Sequence, residues 1–73
     1  MTTTYSRKLC GKRIKAARER LCISQAEVAE RVGVRVHSLY RWESGRSGPN
    51  ASTLAALCTV LGVTSDHLLF GAR

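Results

Sequence analysis

The stretch SQAEVAERVGVRVHSLYRWESG, Ser24 to Gly45, carries two short helical periodicities joined at one glycine, Gly33. Ser24 followed by Glu27 has the form of a capping box, in which each side chain satisfies a backbone N–H that the first helical turn leaves unpaired. Val28, Ala29 and Val32 then supply one apolar face, and Gly33 ends the helix where a left-handed residue is wanted. Val34 plugs the turn. A further helix must start within two or three residues, because Leu39 and Trp42 resume the apolar spacing before Gly45 stops it. Small Ala29 lets the two helices cross closely.

This is the helix-turn-helix pattern, and it assigns the two sides of its second helix different tasks. Stepping at about 100° per residue from Val36 places Leu39, Trp42 and Glu43 together on one side. His37, Tyr40, Arg41 and Ser44 occupy the opposite arc, from about 40° to 140°, with Val36 at its margin. The outer face is therefore polar, aromatic and cationic. An α-helix enters the major groove, where Arg pairs with guanine O6 and N7 and an apolar side chain touches a thymine methyl. The pattern implies a face that reads base edges.

Working outward, Cys10, Ile14, Ala17 and Leu21 recur at helical spacing, predicting a helix from about Ser6 to Leu21. Its other face is basic, through Lys8, Lys12, Arg13, Lys15 and Arg20, and reads as a solvated face that adds to the local field. After the pair described above, GRSGPN reads as a loop. Asn50 caps a fourth helix through Leu61, with Leu54, Leu57, Cys58 and Leu61 inward and Gly62 as its stop. Thr64 caps a short fifth helix, SDHLLF, whose Asp66 suits the positive end of the helix dipole. No segment alternates like a strand, and there are no internal repeats or low-complexity tracts. Residues 1–5 read as a loose arm ahead of a single domain, 6–73.

The 73 residues are enough for one small domain and leave no room for a ligand-sensing one. A chain of this size buries only about 60% of the surface that its unfolded form exposes. The formal charge is +7, and every basic residue except Arg73 and every acidic residue except Asp66 falls within the first 46 positions. The positive field therefore sits on the N-terminal two-thirds and attracts polyanions. Cys10, Cys22 and Cys58 match neither zinc-ligand spacing nor a disulfide scaffold, and read as small apolar core residues, with a reactive thiol as the other reading. The N-terminus has no apolar run that would serve as a signal peptide, which points to a cytoplasmic protein. Trp42 reads as core. His67 has no ligand partner at metal spacing and reads as a surface or interface residue. No metal and no cofactor are expected.

Three segments, GKRIKAARERLCISQAEVAERVGV, SLYRWESGRSGP and LAALCTVLGVTSDHLL, together resemble the lambda-repressor-like, Cro/C1-type (XRE-type) helix-turn-helix family over roughly Leu9 to Gly71. The resemblance implies an all-α, compact five-helix DNA-binding domain with its helix-turn-helix in helices two and three. It also implies a bacterial or phage transcriptional regulator that binds a two-fold operator as a homodimer. Transferred position by position, it places Ser24 and Gln25 where the family clamps a phosphate, Arg35, Val36, His37 and Arg41 where it reads bases, and Ser44 and Arg46 where the exit loop meets the backbone. Tyr40 is left between a phosphate contact and simple solvation. Arg35 departs from the usual Ser or Thr cap, and Val36 replaces an often polar base-reading residue.

Glu43 falls in the last turn of its helix, against the negative end of the dipole, and needs a cation. The resemblance supplies Arg18 of helix one, so an Arg18–Glu43 ion pair is expected. Leu68, Leu69 and Phe70 exceed what a terminal helix needs to plug the core, leaving it open whether one of them packs across a dimer interface.

The alternative is a protein-interaction module such as an antitoxin or antirepressor using the same fold, which a neutral or acidic third helix would favour. An enzyme is disfavoured, since no nucleophile–base set, metal cluster or phosphate-binding glycine loop is present. Double-stranded DNA is the expected partner, with no membrane and no small-molecule effector.

Overall fold

The computed structural model describes residues 5–71. Positions 1–4 of the expected arm and the last two residues of the expected domain lie outside the described residues. Within them the elements are α1 (Arg7–Arg20), α2 (Gln25–Val32), α3 (Val36–Glu43), α4 (Ala51–Leu61) and α5 (Ser65–Phe70).

Four of the five starts are fixed locally by a side-chain oxygen that accepts a first-turn N–H. Ser6 accepts from Leu9 at 3.2 Å, Ser24 from Glu27 at 3.1 Å, Asn50 from Thr53 at 2.8 Å and Thr64 from His67 at 3.0 Å. The reciprocal half of the capping box expected at α2 is not made: the Glu27 carboxylate pairs instead with Arg31, one turn further on. At α3 the cap position holds Arg35, whose side chain makes no cap hydrogen bond.

α2 and α4 end alike. Gly33 (φ +87°) and Gly62 (φ +69°) are left-handed, and their N–H groups return to the Ala29 and Cys58 carbonyls. The next residues, Val34 and Val63, bond to the same two carbonyls at 2.9 and 3.1 Å. This closes each helix end and sends the chain off at an angle.

One core joins all five helices: Cys10, Ile14 and Ala17 of α1, Val28 and Ala29 of α2, Leu39 and Trp42 of α3, Leu57 and Leu61 of α4, and Leu68 of α5. Each fully buried aliphatic side chain contributes about 2 kcal/mol by leaving water. α1 runs across the back of both hinges, packing on α3 and α5. Gly11 sets how closely: a Cβ there would meet the Trp42 carbonyl oxygen at 2.1 Å. The first helix thus lies backbone to backbone on the last turn of α3 and fixes that helix in place.

Three expectations are corrected here. Leu68 is no interface residue; it is fully buried in the core, while Leu69 packs partly against that core and Phe70 alone of the three is exposed. Cys22 is not core: α1 has already ended, the chain turns through a left-handed residue (φ +59°) at Cys22, and the thiol faces solvent while Ile23 packs inward. Arg13 is not on a solvated face. It reaches across to donate to the Leu68 and Leu69 carbonyls at 3.5 and 3.3 Å, placing a cation on the negative end of α5. Cys10 and Cys58 do pack in or against the core, and burial pushes both thiols up from their ordinary pKa. A protonated, buried thiol is a poor nucleophile.

Candidate nucleic-acid interface

The inner side of α3 is fully engaged. Leu39 is wholly buried, Trp42 nearly so, and Glu43 lies beneath the helix with only 8% of its surface exposed. Arg18 grips Glu43 with two nitrogens, Nε to Oε2 at 2.7 Å and the terminal Nη2 to Oε1 at 3.1 Å, while its Nη1 donates to the Ile23 carbonyl at 2.9 Å. Gln25 adds an amide donor to Glu43 Oε1 at 3.0 Å. The hydrogen bond to Glu43 outweighs burial and raises the Arg18 pKa, so the guanidinium is held charged. One carboxylate therefore ties the end of α3 to α1 and to the first residue of α2. Removing either charge would leave the other unpaired at low exposure, which costs more than the pair itself contributes.

With its inner side anchored, the other side of α3 projects outward as a rigid unit. Val36 is 47% and Tyr40 46% exposed, and His37 and Arg41 are exposed with them. The His37 and Tyr40 rings, one turn apart, lie nearly parallel with centroids 6.2 Å apart. Arg41 Nε donates to Ser47 Oγ at 3.5 Å. The Arg41 carbonyl also closes the exit loop, accepting from Ser44 Oγ at 3.1 Å and from the Arg46 N–H at 2.9 Å. Arg35, Arg41 and Arg46 are exposed, and none pairs with a carboxylate among the described residues. The four expected base-reading residues, Arg35, Val36, His37 and Arg41, are thus all exposed.

The expected phosphate contacts divide. Ser24 and Gln25 start α2, where Ser24 Oγ already accepts from Glu27 but keeps its O–H to donate. Gln25 is half-buried, and its amide is directed to Glu43 rather than outward. Gln25, Tyr40 and Ser44 nonetheless meet around one depression, whose remaining walls are Lys15 and Glu43. Lys15 was not singled out from the sequence. A signal was available, because it lies three residues before Arg18 and so shares a flank of α1 with it. Among the described residues no three His, Cys, Asp or Glu side chains group as metal ligands, and no helix is long and apolar enough to cross a membrane.

A glycine-hinged pair of helices, the second anchored within and open without, defines a helix-turn-helix domain. A family model described as helix-turn-helix matches residues 14–68, and the chain belongs to that family. It is similar to repressor protein C2 of Salmonella phage P22, 40% identical over 63 residues that make up 86% of this chain and 29% of the phage protein. It is also similar to YonR, a prophage-derived HTH-type transcriptional regulator of Bacillus subtilis, 34% identical over 86% of this chain and 58% of that protein. The chain thus spans less than two thirds of the length of these curated relatives. Among solved structures, the P22 c2 repressor in complex with a synthetic operator superposes with a TM-score of 0.85 at 39% identity, covering 88% of this chain and 97% of that one.

Proposed function

We propose that this chain is a sequence-specific, double-stranded-DNA-binding transcriptional regulator that inserts α3 into the major groove. The observation that carries the reading is the division of α3: Leu39, Trp42 and Glu43 hold it from within, while Val36, His37 and Arg41 stand free on one exposed face. A rigid helix presenting a guanidinium, an imidazole and a methyl-bearing side chain matches the donor, acceptor and methyl pattern of base edges. Arg35 at the helix start, Ser24 at the start of α2 and Arg46 in the exit loop serve the flanking phosphates or the first base. That the similar phage repressor is found in complex with a synthetic operator supports DNA as the partner.

The protein acts as a homodimer on half-sites about 34 Å apart, with Phe70 and the outer edge of Leu69 as its contribution to the interface. Residues 6–73 form the binding domain, preceded by a short arm. The reading assigns it no catalytic step and places it with the DNA in the cytoplasm. The antitoxin-like alternative is disfavoured because the exposed side of α3 carries Arg41, with Arg35 at the helix start, neither paired with a carboxylate, rather than a neutral surface.

Random-site selection on duplex DNA, run with the wild type and with Arg41→Ala at two salt concentrations, tests this. The wild type should recover two-fold related sites, with binding that falls steeply with salt as counterions are released. Arg41→Ala should lose preference at one position of each half-site while keeping most of the salt dependence. Recovery of unrelated sequences by the wild type would refute the proposal.

A further inference from the structure

The depression beside α3 gathers residues from three helices: Lys15 from α1, Gln25 from α2, and Tyr40, Glu43 and Ser44 from α3 and its cap. Its floor is already satisfied. Both Glu43 oxygens are taken, one by Arg18 and the other by Arg18 and Gln25 together. The bidentate guanidinium cancels the carboxylate charge, so the floor is rigid and close to neutral. What remains to define the depression is its rim. Lys15 is exposed and joins no ion pair among the described residues, and Tyr40 is exposed beside it. An ammonium-bearing and a phenol-bearing side chain that line one concavity suit an oxyanion.

Tyr40 and Ser44 also lie on the same arc of α3 as His37 and Arg41. The depression therefore opens along the flank of the reading face rather than behind it. A helix seated in the major groove has phosphate backbone along its flanks.

We propose that this depression seats one phosphate of the duplex backbone, with Lys15 as its cation and the Tyr40 hydroxyl as its donor. The inference rests on the DNA-binding reading above and extends it to α1. In this arrangement Arg18, Glu43 and Gln25 are positioning residues: they hold the start of α2 and the end of α3 at the spacing that shapes the seat, and do not touch the phosphate.

The test uses the full chain and a duplex recovered by selection, with fluorescence anisotropy across a salt series for the wild type, Lys15→Gln, Lys15→Arg and Lys12→Gln. Lys12 is an exposed lysine of the same helix that does not line the depression. Loss of one phosphate contact lowers the slope of log K against log salt by about 0.9. Between 50 and 200 mM salt the wild type should therefore lose about three- to fourfold more affinity than Lys15→Gln. Lys15→Arg should follow the wild type, and base preference should not change in any variant.

A second measurement localises the contact: neutral methylphosphonates are introduced one at a time along the duplex. One position per half-site should weaken the wild type but leave Lys15→Gln nearly unaffected. The assignment is overturned if Lys12→Gln lowers the slope as much as Lys15→Gln, or if no methylphosphonate position couples to Lys15. Saturable, Lys15-dependent binding of inorganic phosphate without DNA, together with an unchanged duplex slope in Lys15→Gln, would assign the seat to a free anion and overturn it too. Absence of salt-dependent duplex binding by the wild type would instead remove the DNA-binding reading itself.

Discussion

The molecule makes the same turn twice and uses it differently each time. Around Gly33 and Gly62 the two hinges correspond position by position: Val28 with Leu57 and Leu39 with Leu68, all four fully buried, and Val34 with Val63 closing each turn. Both outgoing helices are then tied to α1 by an arginine, α3 through Arg18 to Glu43 and α5 through Arg13 to the Leu68 and Leu69 carbonyls. The residues that do not contribute to the turn diverge. At α5 the helix start is filled from within the chain, Thr64 accepting from His67 and Asp66 answering the dipole. At α3 the corresponding cap position is Arg35, without a cap hydrogen bond, and no acidic residue occupies the first turn. The helix continues past the point where α5 stops and presents Tyr40 and Arg41 where α5 has Leu69 and Phe70. The shared residues specify the hinge. The differing ones leave one outgoing helix chemically open to an anionic partner and close the other.

The largest expected effect tests whether the hinges are structurally equivalent. Leu39→Ala and Leu68→Ala should each cost about 3 kcal/mol in urea titration, since each empties a site with no exposure. A loss at one hinge only would show that the other is not integral to the core. Next comes the anchor present at α3 alone. Glu43→Gln should cost about 2 kcal/mol, below the value for a fully buried pair because Arg18 keeps 12% of its side chain exposed. Unchanged stability in the same titration would mean that the pair does not hold α3. The smallest effects should have opposite signs at the two helix starts. Thr64→Ala should destabilise by about 1 kcal/mol, while Arg35→Ser, which adds the missing cap, should stabilise by about 1 kcal/mol. Arg35→Ser should at the same time weaken duplex binding. A simultaneous gain in both would show that Arg35 has no part in the interface.

Most of the architecture was legible because it is locally determined. Ser24, Asn50 and Thr64 announce helix starts through bonds that span three residues, and Gly33 and Gly62 announce ends through a backbone conformation that other residues adopt at a cost. The Arg18–Glu43 pairing was foreseen differently, from an unfavourable charge at a helix end joined to a family resemblance. What escaped notice depends on how the helices assemble. Gly11 lies in the middle of an otherwise regular helix and has meaning only because the Trp42 carbonyl passes over it. Arg13 looks like its exposed neighbours until α5 ends beside it. Leu68 reads as surplus apolar surface until α1 and α4 close around it. Leu21 was misplaced because the apolar period of α1 continues in sequence after the helix has stopped, leaving it 45% exposed, and Cys22 because residue type and the absence of ligand or disulfide spacing alone argued for burial. Of the candidate interface, the outer face of α3 followed from angular position alone. Lys15 joined it only when three helices converged on one depression.

Whether α3 and not its counterpart α5 meets the duplex is decided by following every backbone amide while a selected duplex is titrated into isotopically labelled protein. Chemical-shift changes should concentrate at Arg35, Val36, His37, Tyr40 and Arg41, with Ser24 and Gln25 at the edge and the Ser65–Asp66 start of α5 silent. Changes centred on α5, or none along the outer side of α3 at saturating duplex, would contradict it.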